Sequence, residues 1–263
     1  MKLIILRSYV KSSLHVALSL WAFCNVLALQ QGVDLTVSLQ CAIFGFGWFA
    51  YQYFHIIIPL IVQKQHISLS KVIILFSAIA IGLYGLVMQN STVWLIFVFV
   101  GIITAFYALP FGVNIGLRYV PTIKVFMVAL CWATLATFNL YNLTTVHFAL
   151  IASKSVLWIL TMIVPLEIHD LNRDAPSLKT LPQVLGVRRV KMLSYVLILS
   201  SVVLAFMTST TYNLAWVETA MLGVLVILIF KVKKDQPKYI TSFLVEAIPV
   251  SWLGLSYLVL TYC

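Results

Sequence analysis

Long apolar runs broken by short polar stretches dominate this chain. Nine such runs stand out, at 13–30, 39–62, 71–88, 92–109, 122–141, 145–165, 190–208, 213–231 and 239–261. Each is long enough to cross a bilayer core as a helix, which takes about 20 apolar residues. Lipid admits only helices or closed barrels as spanning structures, and the alternating pattern of barrel strands is missing. The pattern therefore predicts an all-α polytopic membrane bundle of nine transmembrane helices around a central cavity. Residues 1–263 form a single domain, without a soluble module or a low-complexity linker.

Composition sharpens this reading. Of the 263 residues, 62% are hydrophobic and 9% are charged, against about a quarter charged in soluble domains. Mean hydropathy is +1.06. So few charges could not cover a soluble fold of this size. The net charge of +10 does not point to nucleic acid, because the basic residues lie in short loops between apolar spans.

The same basic residues orient the chain. Lys2, Arg7 and Lys11 precede the first span; Lys64 and Lys71 flank the second loop, and Arg118 and Lys124 the fourth. Arg173, Lys179, Arg188, Arg189 and Lys191 fall in the sixth, and Lys231, Lys233, Lys234 and Lys238 in the eighth. That is 16 of the 17 Lys and Arg on one side, with none in the alternate loops. The positive-inside rule then puts the amino terminus in the cytoplasm and the carboxyl terminus outside, as in a bacterial inner membrane. Lys154, within the sixth span near its outer end, is the exception and is read as snorkelling to the interface. The basic and apolar opening, Met1 to Arg7, is not expected to be a cleaved signal. Cys24, Cys41, Cys131 and Cys263 have neither metal-ligand spacing nor a disulfide framework, and are read as reduced thiols.

Chemistry concentrates in Pro165-Leu-Glu167-Ile-His169-Asp170-Leu-Asn172-Arg173-Asp174. Three of the seven acidic residues fall within eight positions here. The spacing of Glu167, Asp170 and Asp174 puts them on one helical face at the carboxyl end of the sixth helix, where the macrodipole disfavours carboxylates. A Mg²⁺ ion bound by these oxygens would offset both the dipole and their mutual repulsion. The run also reads as a solvated helix end paired with Arg173, Lys179 or Arg188.

Asp170-x-x-x-Asp174, followed by Lys179-Thr180-Leu181-Pro182 and Leu185-Gly186, resembles the second acidic motif of the UbiA-type intramembrane prenyltransferases. Tyr107-Ala-Leu-Pro110 through Leu117-Arg118 and Pro121-x-x-Lys124 resembles the fourth loop of that family. Nine helices and an inside amino terminus also match it. The resemblance implies an enzyme that binds an isoprenoid diphosphate through Mg²⁺ at the cytoplasmic face. The prenyl group then passes to a small aromatic or lipophilic acceptor in a chamber open to the bilayer. On this reading Asp170, Asp174 and Glu167 serve the metal, and Arg118, Lys124 and Lys179 the diphosphate. Tyr51, Gln52, His55, Tyr107, Asn114 and Arg173 are candidates to contact substrate. Each basic residue also reads as a simple anchor at the lipid headgroups.

One stretch departs from the family. Its first acidic motif belongs at the cytoplasmic end of the second helix, where this chain has Phe49-Ala-Tyr51-Gln52-Tyr53-Phe54-His55 and no carboxylate. Regular helical spacing puts Tyr51, Gln52 and His55 on one face, with His55 as either a diphosphate contact or an ordinary hydrogen-bonded residue. The departure keeps two alternatives open: a UbiA-fold terpene cyclase, and a non-catalytic lipid-binding or transport protein. Glu246, about two turns into the ninth span, is expected to pair with Lys238 or a hydroxyl, or to bind a polar acceptor group. Trp158 is read as packing or as part of an interfacial belt.

Overall fold

The computed structural model describes residues 12–63, 68–108, 123–140, 142–172, 178–233 and 238–262. Among them nine apolar helices follow one another and no strand occurs. They are α1 (Leu14–Gln30), α2 (Val37–Gln52, continued below), α3 (Leu69–Val87), α4 (Ser91–Ala108) and α5 (Ile123–Thr137). Then come α6 (Thr145–Asp170), α7 (Val187–Thr208), α8 (Tyr212–Lys231) and α9 (Lys238–Tyr262). Seven are long and apolar enough to cross a membrane; α1 and α4 are shorter apolar helices of the same set. The chain is a multi-pass integral membrane protein.

Consecutive helices pack as neighbours through much of the bundle, and α9 closes onto α1. Across this arrangement α1 also meets α5, and α6 meets α9. Helix α1 is buried along most of its length, while α3, α4 and α7 expose large apolar side chains such as Phe76, Leu95 and Leu199, as lipid-facing helices do. An aromatic core ties the centre together. Phe23 of α1 lies 6.3 Å from Trp132 of α5 and 6.1 Å from Trp252 of α9. Trp252 in turn stacks on Trp158 of α6 at 4.6 Å. Trp158 is fully buried, so it packs the core and does not belong to an interfacial belt.

Helices α2 and α3 approach until their backbones touch. A Cβ on Gly45 would stand 2.2 Å from the Gly82 nitrogen, and one on Gly85 would stand 2.3 Å from the Ala42 nitrogen. Small residues permit this contact, which is how helices gain van der Waals energy where lipid supplies no hydrophobic drive.

Pro165 lies inside α6, which continues past the apolar run to Glu167 and Asp170. One element differs from the sequence expectation. Helix α2 does not stay regular at its basic end. It passes through a π turn, Tyr53–Ile57, before ending as Ile58–Gln63, and the Ile58 N–H donates to the Tyr53 carbonyl five residues back. Pro59 explains the irregularity: it has no N–H for the His55 carbonyl, and a π turn accommodates the lost bond.

Lys154 is fully buried and does not snorkel. Its Nζ lies 2.9 Å from Glu218 Oε2 and donates to Gln30 Oε1 at 2.9 Å. Gln30 Nε2 donates to Glu218 Oε2 at 2.8 Å, and Trp158 Nε1 to Glu218 Oε1 at 2.7 Å. The sequence reading overlooked Glu218, whose partner lies 64 residues away on α6. Burying a lone lysine costs several kcal/mol, so the ammonium is drawn inward only because a carboxylate and an amide meet it there.

Candidate functional site

Lys124, at the start of α5, meets the acidic end of α6. Glu167 is 2% exposed, and its Oε1 lies 2.6 Å from Lys124 Nζ at the start of α5. This ion pair joins two residues expected in separate roles, Glu167 as a metal ligand and Lys124 as a diphosphate contact. Lys124, 28% exposed, keeps a solvent-facing side and screens the buried carboxylate. One turn on, Asp170 Oδ1 lies 2.9 Å from His169 Nδ1. His169 is buried, whereas the Asp170 side chain is 20% exposed.

Helix α6 ends at Asp170. Asp174, Arg173, Arg118 and Asn114 lie outside the described residues. Beyond that gap, Lys179 is exposed and holds a left-handed backbone, φ 43°. Such a conformation is uncommon for a residue with a Cβ and recurs at functional sites. The next residue starts a short loop helix, Leu181–Leu185, where the Thr180 N–H donates to Gln183 Oε1 at 2.9 Å. Leu181 and Leu185 pack on Val164, Ile168, Val190 and Val232, which seats this loop on α6, α7 and the end of α8.

The second helix does not present Tyr51, Gln52 and His55 as one face. Gln52 is buried, and its Nε2 donates to the Ser12 carbonyl, which also accepts from Trp48 Nε1 at 2.8 Å. Left-handed Ser13 follows, so the α2 amide and indole fasten the chain where it turns into α1. His55 sits within the π turn and is exposed. The π turn shifts the angular register, which separates it from Gln52. Tyr51 points into the bundle. Its ring meets Phe54 at 6.4 Å, and Phe54 meets the buried Tyr107 at 5.6 Å, an aromatic file from α2 to α4.

Tyr51 also lines a small cavity of about 40 Å³ with Val16, Trp132, Met162, Leu166 and Glu246. Its walls come from α1, α2, α5, α6 and α9 and are almost wholly apolar. Leu166, in its wall, immediately precedes Glu167 in sequence. Its lining, apolar but for Glu246 and the Tyr51 hydroxyl, suits an apolar group.

Among the described residues no three His, Cys, Asp or Glu side chains come together as a metal-holding group. The donor set fits Mg²⁺ in part. Asp170 offers a hard, partly exposed carboxylate oxygen, while Glu167 is held by Lys124. The companion that the sequence motif pairs with Asp170, Asp174, is outside the described residues.

No family model matches the chain, and no curated protein matches it. Two solved structures do share its fold. A UbiA homologue from Archaeoglobus fulgidus superposes with a TM-score of 0.64 at 16% identity, over 95% of this chain and 99% of that one. The apo structure of a UbiA homologue from Aeropyrum pernix K1 gives 0.67 at 14% identity, over 93% and 98%. The chain therefore has the UbiA fold along almost its whole length, as the motifs near 107–124 and 166–191 imply.

Proposed function

We propose that the chain is a membrane prenyltransferase-like enzyme that takes an isoprenoid diphosphate at its basic, cytoplasmic end. The observation that carries this reading is the apolar cavity lined by Tyr51, Trp132 and Leu166, one wall of which is the helix that ends at Glu167 and Asp170. The prenyl tail enters between Tyr51, Trp132 and Met162, parting the walls of this small cavity. Lys179 and Lys124 are the described cations for the diphosphate, with His55 and Tyr107 as further candidate contacts; Arg118, Asn114 and Arg173 are candidates from the sequence alone. Asp170 and Asp174 would hold Mg²⁺, which when bound neutralises the diphosphate and eases its departure. Glu167 orients Lys124 through their ion pair.

Water must be kept from an allylic carbon that loses its leaving group. The Tyr51–Phe54–Tyr107 file supplies a wall for that, and aromatic faces favour nearby positive charge. Gln52, spent on the Ser12 carbonyl, and the π turn put no carboxylate on the α2 side. This supports a site with fewer metal ions than one with two acidic motifs would hold.

The purified chain, incubated in detergent with Mg²⁺ and radiolabelled farnesyl diphosphate, is expected to release diphosphate when lipid-soluble phenols or alcohols are supplied. Release without an acceptor would favour a cyclase. Binding without release would favour a lipid-binding role.

A further inference from the structure

The cavity wall carries a polar group that the prenyl-binding reading leaves without a task. Glu246 of α9 lines the cavity beside Tyr51 and Trp132. Its Oε2 lies 3.1 Å from Nε2 of His15 on α1. Ser242, one turn earlier on α9, donates to Glu246 Oε1 at 3.3 Å and stands 3.2 Å from the same His15 nitrogen. All three residues are buried. A carboxylate at this depth in a span is costly and points to function.

Its partner differs in kind from the lysine that meets Glu218 in the other half of the bundle. A lysine–glutamate pair is neutral when formed, and a further proton would leave a buried positive charge. A histidine–glutamate pair can hold one negative charge, with neutral imidazole and ionised carboxylate. Taking up one proton then makes it neutral, which an apolar cavity favours. A carboxylate also has about four lone-pair sites, enough to accept from Ser242, His15 and one ligand group together.

We propose that the Glu246–His15 pair is the acceptor subsite, binding the hydroxyl of a lipophilic alcohol or phenol and taking its proton. This rests on the prenyl-transfer reading above. An ammonium would satisfy the carboxylate but has no lone pair with which to attack a prenyl carbon, so the productive donor is a neutral O–H. In the transfer, the hydroxyl proton passes to the pair and the acceptor oxygen's lone pair forms the new bond to the allylic carbon. That carbon's bond to the diphosphate oxygen breaks, and its electrons leave with the diphosphate. Tyr51 is the other titratable side chain on this wall.

The test compares 4-hexylphenol with its methyl ether, 4-hexylanisole, by tryptophan fluorescence titration of the full chain in detergent, corrected for partition into detergent alone. One hydrogen bond to a charged group is worth about tenfold in affinity, and the parent chain should prefer the phenol by that factor. Glu246→Leu should abolish the preference, and His15→Gln should weaken it. Equal binding of phenol and ether by the parent overturns the proposal, and needs no variant to fold. So does a preference that survives in Glu246→Leu. Mg²⁺-dependent binding of farnesyl diphosphate, titrated in parallel without phenol, reports separately on the prenyl-transfer reading.

Discussion

Lys124 Nζ and Glu167 Oε1 stand 2.6 Å apart and join the start of α5 to the end of α6. Glu167 is the buried partner, so removing the lysine takes the cation at 2.6 Å away from a carboxylate inside the bundle. Lys124→Met should destabilise the chain by about 2–3 kcal/mol, below the full cost for a wholly buried pair because the lysine is partly exposed. Glu167→Gln should cost less, since Lys124 can turn to solvent. The double variant should recover part of the loss, as read by a double-mutant cycle on thermal unfolding in detergent. Additive losses would mean that the two charges do not interact.

The Lys154–Glu218 pair is a harsher case, because both side chains are fully buried. Lys154→Met should cost about 3–5 kcal/mol and lower Tm more than Lys124→Met does. It should leave Mg²⁺-dependent ligand binding at the other end unchanged in any protein that remains folded. An unchanged Tm would contradict the buried network.

Between α2 and α3, Gly45→Ala and Gly85→Ala each drive a methyl into backbone atoms, which cannot move aside as a side-chain tip can. Either substitution should cost well over 1 kcal/mol, the usual range for overpacking. Gly101→Ala and Gly254→Ala meet nothing within 4 Å and serve as controls that should be close to neutral. Equal effects at all four positions, in the same unfolding assay, would contradict the close seam.

Orientation is open to direct test. Reporter fusions after residues 34, 90, 143 and 210 should all read as external, following the bias of 16 in 17 basic residues. A cytoplasmic signal at two of them would reverse or break the assignment.

The fold was largely legible because lipid imposes a coarse rule: runs of apolar residues become spans, and their ends show as polar breaks. The misreadings occurred where a partner or a backbone irregularity decides. Lys154 reads as a snorkelling residue until Glu218, distant in sequence, is brought beside it. Gln52 and His55 share a face on an ideal helix and part company on a π turn, although Pro59 was a visible signal of it. His15 passed unnoticed because a single histidine in a span signals nothing until Glu246 and Ser242 meet it. At the candidate site, the helical placement of Glu167 and Asp170 at the end of α6 was legible from their spacing. The Lys124 pairing was not, since it depends on how α5 abuts α6.

The central claim is that the end of α6 binds a diphosphate through metal. Its most direct test is binding of farnesyl diphosphate to the purified chain by titration calorimetry, with Mg²⁺ and with EDTA, for the parent and for Asp170→Ala. The parent should bind in Mg²⁺ and lose at least about tenfold in affinity in EDTA, equivalent to 1.4 kcal/mol. Asp170→Ala, with an unfolding temperature near the parent's, should bind weakly in both. Equal affinity of parent and variant, with the same response to Mg²⁺, would contradict the account.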